Sequence, residues 1–144
     1  YGPNDNFDDN SSHVIPAIIK KIVFAKKAKK SSVTLWGDGT PTRDFLYVDD
    51  AAEGIILAAE KYSKSVPLNL GTGVEISIKD LAEKLLKIID IELEIVWETK
   101  KPNGQPRRCV DNQKAKNEIQ FEPKMDMDEG LKRTVEWYES EFST

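Results

Sequence analysis

The sequence predicts an α/β fold, and three observations carry the prediction. Short alternating apolar runs at 33–36, 44–48, 67–70 and 93–97 read as strands. Longer segments near 14–29, 50–61, 77–89 and 127–141 repeat apolar residues at helical spacing. The two kinds alternate along the chain, separated by Gly, Pro, Asn and Asp, as expected of strands connected through helices.

Each element has its own warrant. Residues 1–12 are turn chemistry, with Gly2-Pro3 followed by Asn4, Asp5, Asn6, Asp8, Asp9, Asn10, Ser11 and Ser12; they form either a mobile end or a loop that wraps a site. Ile15, Ile18, Ile19 and Ile22 then recur on one helical face, and Pro16 suits a first turn. Lysines 20, 21, 26, 27, 29 and 30 fill the other face and the C-terminal end. They read as a solvated face that complements the helix dipole, with a polyanion patch as the sharper alternative. Val33–Trp36 alternates as a strand, and Asp38-Gly39 reads as a hairpin turn into a strand at Arg43–Val48. Asp49 or Asp50 is placed to cap the helix that follows, with Ile55, Ile56 and Ala59 expected on its core face. Val66–Leu70 reads as a short strand broken by Gly71-Thr72-Gly73; without neighbours it would be an unpaired edge beside exposed apolar surface. Ser77-Ile78-Lys79-Asp80 is a capping box for a helix whose stripe is Leu81, Leu85, Ile88 and Ile89. Leu93–Trp97 is a strand, Asn112–Ile119 a short helix, and Leu131, Val135 and Tyr138 mark the last helix.

Composition narrows the function classes. A chain of 144 residues has the size of one domain. Chains of that length bury roughly 68–70% of their unfolded surface. No apolar run approaches the roughly 20 residues of a membrane helix. The net charge of −4 argues against nucleic acid as the main partner. The single cysteine, Cys109, has no internal disulfide partner, so a cytoplasmic setting is the expectation. The opening Tyr1-Gly2-Pro3 reads as the middle of a protein, and a fragment or excised domain is expected.

Three constellations point to chemistry. Arg43 stands at the mouth of an apolar run beside a turn, with Trp36 just before that turn offering a flat face to a ring. The segment Lys100-Lys101-Pro102-Asn103-Gly104-Gln105-Pro106-Arg107-Arg108 holds four cations and no acid; its prolines lower the cost of ordering arginines around a phosphate. His13, the only histidine, lies at a helix start and is of the residue type that moves protons near neutral pH. With no cysteine cluster and no second histidine, a zinc site is not expected. Gly71-Thr72-Gly73 lacks the third glycine of a dinucleotide loop, since Ile76 occupies that position. Cys109 follows the cationic loop, which would depress its pKa, although a half-buried structural residue is the simpler reading.

These stretches are familiar together. Tyr1-Gly2-Pro3-Asn4-Asp5-Asn6-Phe7, Ser12-His13-Val14-Ile15-Pro16, Trp36-Gly37-Asp38-Gly39-Thr40-Pro41, Arg43-Asp44-Phe45, Asn69-Leu70-Gly71-Thr72-Gly73 and the Lys101–Arg108 loop resemble the GDP-L-fucose synthases. Those enzymes are extended short-chain dehydrogenases/reductases within the NAD-dependent epimerase/dehydratase family. The resemblance implies that residues 1–144 are a single nucleotide-sugar-binding domain, the C-terminal substrate-binding portion of a Rossmann-type fold. It further implies conversion of GDP-4-keto-6-deoxy-D-mannose to GDP-L-fucose by epimerisation and NADPH-dependent reduction. His13 matches the acid/base histidine that also lies beside the nicotinamide, and Trp36 and Arg43 match contacts to the substrate nucleotide. Lys21 stands where an arginine usually contacts substrate, and Asn103 where an aspartate usually meets the nucleotide. Arg108 stands where a lysine usually meets the diphosphate, and Lys101 where related epimerases carry a phosphate-binding arginine. The glycine-rich NADP loop, the catalytic serine and cysteine and the Tyr-x-x-x-Lys pair have no counterpart in this sequence. The chain alone is therefore expected to be inactive, with NADP held mainly by an N-terminal domain and a homodimer as the full-length state. The alternatives are a UDP- or dTDP-sugar epimerase or dehydratase, a non-catalytic nucleotide-sugar module, and a subunit completed by a separate Rossmann chain.

Overall fold

The computed structural model of the chain describes residues 1–142. Its helices are α1 (Val14–Lys27), α2 (Val48–Lys61), α3 (Ile78–Ile88), α4 (Gln113–Ile119) and α5 (Met127–Glu141). Its strands are β1 (Ser32–Trp36), β2 (Thr42–Arg43), β3 (Ile76–Ser77), β4 (Glu94–Glu98) and β5 (Arg107–Arg108). Strands and helices alternate for most of the length, and the α/β class holds.

The strands form two small sheets. In the first, β1 and β4 run parallel, with Val33 opposite Ile95 and Trp36 opposite Glu98. Val33 and Leu35 point into the core, while Thr34 and Trp36 point out. Helices α1, α3 and α5 pack together behind β1, and the shared core includes Ile15, Ile19, Ile22, Leu81, Leu85 and Leu131. Burying aliphatic side chains of this kind contributes about 1.5–3 kcal/mol each. In the second sheet the order is β3-β2-β5, antiparallel on one side of β2 and parallel on the other. A separate cluster of Ala115, Ile119 and Phe121 joins α2 to α4, with Leu46, Leu57, Leu68 and Leu70 packed on it.

Several local expectations are corrected. The turn at Asp38-Gly39 does not make a hairpin, because β1 pairs with β4 and β2 pairs with β3 and β5. Strand geometry at 44–48 ends after Arg43, since Asp44 is drawn to the Thr72-Gly73 turn and α2 begins at Val48. Tyr47 is the N-cap of α2 without a side-chain cap, and Asp49 and Asp50 lie in its first turn. Ile55 and Ile56 are exposed, at 63% and 58%; the face turned inward carries Asp50, Gly54, Leu57 and Ala58. Residues 67–70 form no strand, and Leu68 and Leu70 pack on the α2–α4 cluster instead of on a sheet. Of the capping box expected at Ser77, the N-cap half is present: the Ser77 hydroxyl accepts the Asp80 N–H at 3.0 Å, while the Asp80 carboxylate accepts from the Ser77 hydroxyl at 2.6 Å instead of from its backbone N–H.

Helix ends follow backbone chemistry that leaves little trace in sequence. The chain turns left-handed at Lys29, Asp90 and Gln120, just after α1, α3 and α4. There Lys30 N–H donates to Ala25 O, Ile91 N–H to Leu86 O and Phe121 N–H to Ala115 O, closing each helix without a glycine. The α1 lysines are committed individually. Lys20 donates to Phe7 O and pairs with Asp9, Lys26 donates to Ile89 O, and Lys27 donates to Phe142 O.

Candidate functional site

Strand pairing sets the site. Parallel pairing places Arg43 opposite Arg108 and Thr42 opposite Arg107. Paired residues project to the same side of a sheet, so the two sides differ. On one side, Glu75 accepts from the Thr42 hydroxyl at 2.6 Å and from Arg107 through two nitrogens. The Thr42 hydroxyl, then Arg107, hold the Glu75 carboxyl below the usual carboxylate range. On the other side, Arg43 and Arg108 both line a cavity of about 440 Å³. Arg43 donates to Thr42 O at 2.7 Å, and Arg108 has no side-chain partner among the described residues. One arginine of the consecutive pair is thus neutralised, and the next is left for a ligand.

His13 faces the same cavity from the N-cap of α1. Its imidazole has no hydrogen-bond partner among the described residues. The other walls include Asp5, Phe45, Leu46, Leu70, Gly71 and Val110. The first twelve residues do wrap a site, held by internal turns in which Asp8 accepts from the Asn10 and Ser11 amides and the Ser11 hydroxyl. Hydrogen bonds from Asn10 and Ser11 keep the Asp8 carboxyl below its usual value.

A second cavity, of about 260 Å³, adjoins His13 on its other side. Lys21, Leu35, Trp36 and Ile78 line it. Trp36 is 60% exposed, with Lys21 Nζ 5.4 Å and Lys101 Nζ 5.1 Å from its ring centroid. Lys21 also donates to Thr34 O at 3.3 Å. Burial lowers its ammonium pKa, and Glu98 opposes the shift. Of the sequence-predicted residues, His13, Lys21, Trp36, Arg43 and Arg108 therefore line two adjoining cavities that share His13, while Lys101 lines neither and reaches the Trp36 ring. Asn103 lines neither; its Oδ1 accepts the Asp38 N–H at 2.8 Å.

The frame of the site includes residues that the sequence did not single out. Asp44 accepts from Thr72 N–H at 3.1 Å, from the Thr72 hydroxyl at 2.5 Å and from Gly73 N–H at 3.0 Å. Asn112 donates to the carbonyls of Gly71 and Thr72. Together they fix the glycine turn as a cavity wall, and Gly71 is needed there: a Cβ would lie 2.1 Å from Val110 Cγ2. The adjacency of Arg43 and Asp44 was the available signal, one side chain pointing into the cavity and the next bracing its wall. Cys109 departs from expectation in its ionisation. Its thiol is pushed up, chiefly by desolvation and then by Asp44 and Glu75, which outweigh Arg107. It is a half-buried neighbour of Asp44, its Sγ 4.0 Å from Asp44 Oδ2.

The described residues contain no group of three His, Cys, Asp or Glu side chains arranged to hold a metal. No described helix is long and apolar enough to cross a membrane.

Comparison with known proteins finds relatives of the sequence and of the fold. Residues 1–71 match the model of the NAD dependent epimerase/dehydratase family. A probable GDP-L-fucose synthase from Oryza sativa subsp. japonica is 41% identical over 96% of this chain and 42% of its own length. The structure of a GDP-L-fucose synthetase from Naegleria fowleri bound to NADP superposes with a TM-score of 0.92 at 27% identity, covering 100% of this chain and 45% of that one. A UDP-glucose 4-epimerase from Thermotoga maritima, solved with UDP-glucose, superposes with a TM-score of 0.86 at 30% identity, covering 98% and 43%. The chain thus spans about two fifths of the length of the curated relatives it matches.

Proposed function

The chain belongs to the NAD dependent epimerase/dehydratase family, and from that premise we propose that it is the nucleotide-sugar-binding part of a GDP-L-fucose synthase-like enzyme. The intact enzyme would take GDP-4-keto-6-deoxy-D-mannose to GDP-L-fucose by epimerisation followed by reduction. One observation carries the reading: Arg43, Arg108 and His13 line one cavity.

The roles follow from the chemistry of each side chain. Two guanidinium groups on one side of a sheet suit a diphosphate, whose oxygens accept paired N–H donors. Trp36 offers its exposed face to the nucleotide, and Lys21 and Lys101 add charge at that face. With the diphosphate held by the arginines, the sugar would extend toward His13. Epimerisation beside a ketone exchanges a proton on carbon, and His13 is the residue here that can deliver it. Asp44 and Asn112 keep the glycine turn from shifting during that exchange.

The fit to NADP is partial. The Gly71-Thr72-Gly73 turn is closed by Asp44 and Asn112 and presents no dinucleotide cradle. The resemblance would set His13 beside the nicotinamide, with NADP held mainly by parts of the enzyme outside this chain. When bound, NADPH supplies the hydride that reduces the ketone. No tyrosine here is followed four positions later by lysine, and the chain by itself is proposed to be inactive. The full-length enzyme is proposed to be a cytoplasmic homodimer.

The test uses the intact enzyme with His13→Gln, which keeps a polar side chain but removes the titratable group. Solvent-deuterium wash-in at the epimerised carbons should fall about 10²–10⁴-fold, the usual contribution of general acid–base catalysis. Unchanged exchange would remove His13 from the chemistry. The isolated chain should oxidise no NADPH with the same keto sugar.

A further inference from the structure

We propose that Asn103 is a positioning residue that clamps the loop after β4 onto the turn after β1, and so sets Lys101 over Trp36. The inference deepens the nucleotide-sugar reading and rests on it, because the clamp sets the charge beside the Trp36 face offered to the nucleotide. It gives Asn103 a task within the protein instead of a direct contact to ligand.

The loop spans the gap between β4, which ends at Glu98, and β5, which begins at Arg107. Within that span, Lys101 and Asn103 make the side-chain contacts to other elements among the described residues. Asn103 Oδ1 accepts the Asp38 N–H at 2.8 Å. Asn103 also lies close enough to the Asp38 carboxyl to help hold it below its usual value, after Thr40, the larger influence. An amide can accept with one end and donate with the other, which is what a backbone N–H beside a carboxylate requires.

The turn is built to receive it. Gly37 has a φ of +79°, and a Cβ there would sit 2.1 Å from Asn103 Oδ1. Its N–H donates to Glu98 O at 3.1 Å, and Lys101 N–H donates to the same carbonyl at 3.0 Å. Thr40 donates to Asp38 through both its N–H and its hydroxyl, fixing the turn from the other side. The clamp therefore joins Asp38, two residues after Trp36, to the loop carrying Lys101. Two residues past the clamp, Gln105 leads through Pro106 into β5, which delivers Arg108 to the first cavity. One side chain thus links the Trp36 side of the site to the arginine side.

The test is made on the ligand-free chain, so that it does not depend on the nucleotide reading. Asn103→Ala should raise hydrogen exchange at the Asp38 amide about tenfold, the equivalent of one hydrogen bond, while β1 and α3 amides keep their protection. Acrylamide should quench Trp36 more efficiently in the same variant, as Lys101 leaves its ring. Asn103→Asp should open the clamp as well, because two carboxylates then face each other. Combining Asn103→Asp with Asp38→Asn restores one donor and one acceptor, and should return both readouts to the parent values. That reciprocal rescue separates a clamp from a general loss of loop stability. Unchanged Asp38 exchange in Asn103→Ala, unchanged Trp36 quenching, or no rescue in the double variant would each overturn the proposal. Failure of a guanine nucleotide to bind the parent chain would instead count against the functional reading and leave these results standing.

Discussion

Asp50 decides how α2 meets the approach to α5, and its removal has a size that can be worked out. The carboxylate is 6% exposed. Oδ1 accepts the Lys124 N–H and Oδ2 the Met125 N–H, each at 3.0 Å. Asp50→Ala removes both acceptors and strands two amide donors. A hydrogen bond to a charged group contributes about 1.5–3 kcal/mol, and an orphaned buried donor costs about 1–3 kcal/mol. Water reaching the opened site recovers part of this, so the expected loss is about 2–4 kcal/mol. Asp50→Asn keeps one acceptor but turns its NH₂ toward the second amide, for an expected loss of about 1–2 kcal/mol. The adjacent Asp49 is exposed in the first turn and contributes only about 0.3–1 kcal/mol through the helix dipole. Urea denaturation separates these cases. With a slope of about 1–3 kcal/mol per M, Asp50→Ala should lower the midpoint by about 1–2 M, and Asp49→Ala by much less. The slope itself should not change. Equal, small shifts for Asp49→Ala and Asp50→Ala would refute the assignment of Asp50 as a buried structural acceptor.

Other perturbations report on the site. Gly71→Ala forces a Cβ to 2.1 Å from Val110 Cγ2 and 2.7 Å from Asp44 Oδ2; the overpacking should destabilise by about 1–3 kcal/mol, read by thermal melting. Glu75 has a folded-state pKa below the usual 4.5, so its contribution is complete above that value and is lost as pH falls through the lowered one. Glu75→Gln should therefore flatten the acid limb of the stability–pH curve below about 4.5, measured by urea midpoints across the acidic range.

Much of this was legible in the sequence where local chemistry decides geometry. The Ile15, Ile18, Ile19 and Ile22 spacing fixed the buried face of α1, and Ser77 announced the start of α3. His13, Arg43 and Arg108, singled out chiefly through the resemblance, line one cavity; spacing alone reads a lone histidine as a structural residue more often than a site residue. What stayed hidden depends on non-local pairing. Residues 44–48 and 67–70 carry strand-forming side chains, yet Asp44 turns aside to hold Thr72 and Gly73, and Leu68 and Leu70 find partners on α4 and Phe121. The alternatives open at Asp49 and Asp50 closed only when residues 124 and 125, far along the chain, supplied the donors. For α2, periodicity located an apolar stripe at Ile55 and Ile56 but could not say that the opposite side, with Gly54 against Leu70 and Phe121, faces inward. Cys109 is half-buried, as its simpler reading expects; the lowering of its pKa does not follow, because charge counted along the sequence ignores Asp44 and Glu75, which reach it across strands.

The central claim is that Arg43 and Arg108 receive the diphosphate of a guanine nucleotide beside Trp36. The most direct measurement is a titration of the chain with GDP and with UDP at two salt concentrations, followed by tryptophan fluorescence and by calorimetric heat. Two or three charge-assisted hydrogen bonds in a water-accessible site, less the cost of ordering, correspond to a Kd of about 0.1–1 mM. GDP should bind in that range, more weakly at the higher salt and more tightly than UDP. Arg43→Met should abolish the signal while the circular dichroism and the melting transition stay as they were. Equal binding of GDP and UDP would move the assignment to the UDP-sugar epimerases, and Arg43→Met binding GDP as well as the parent chain would contradict the claim.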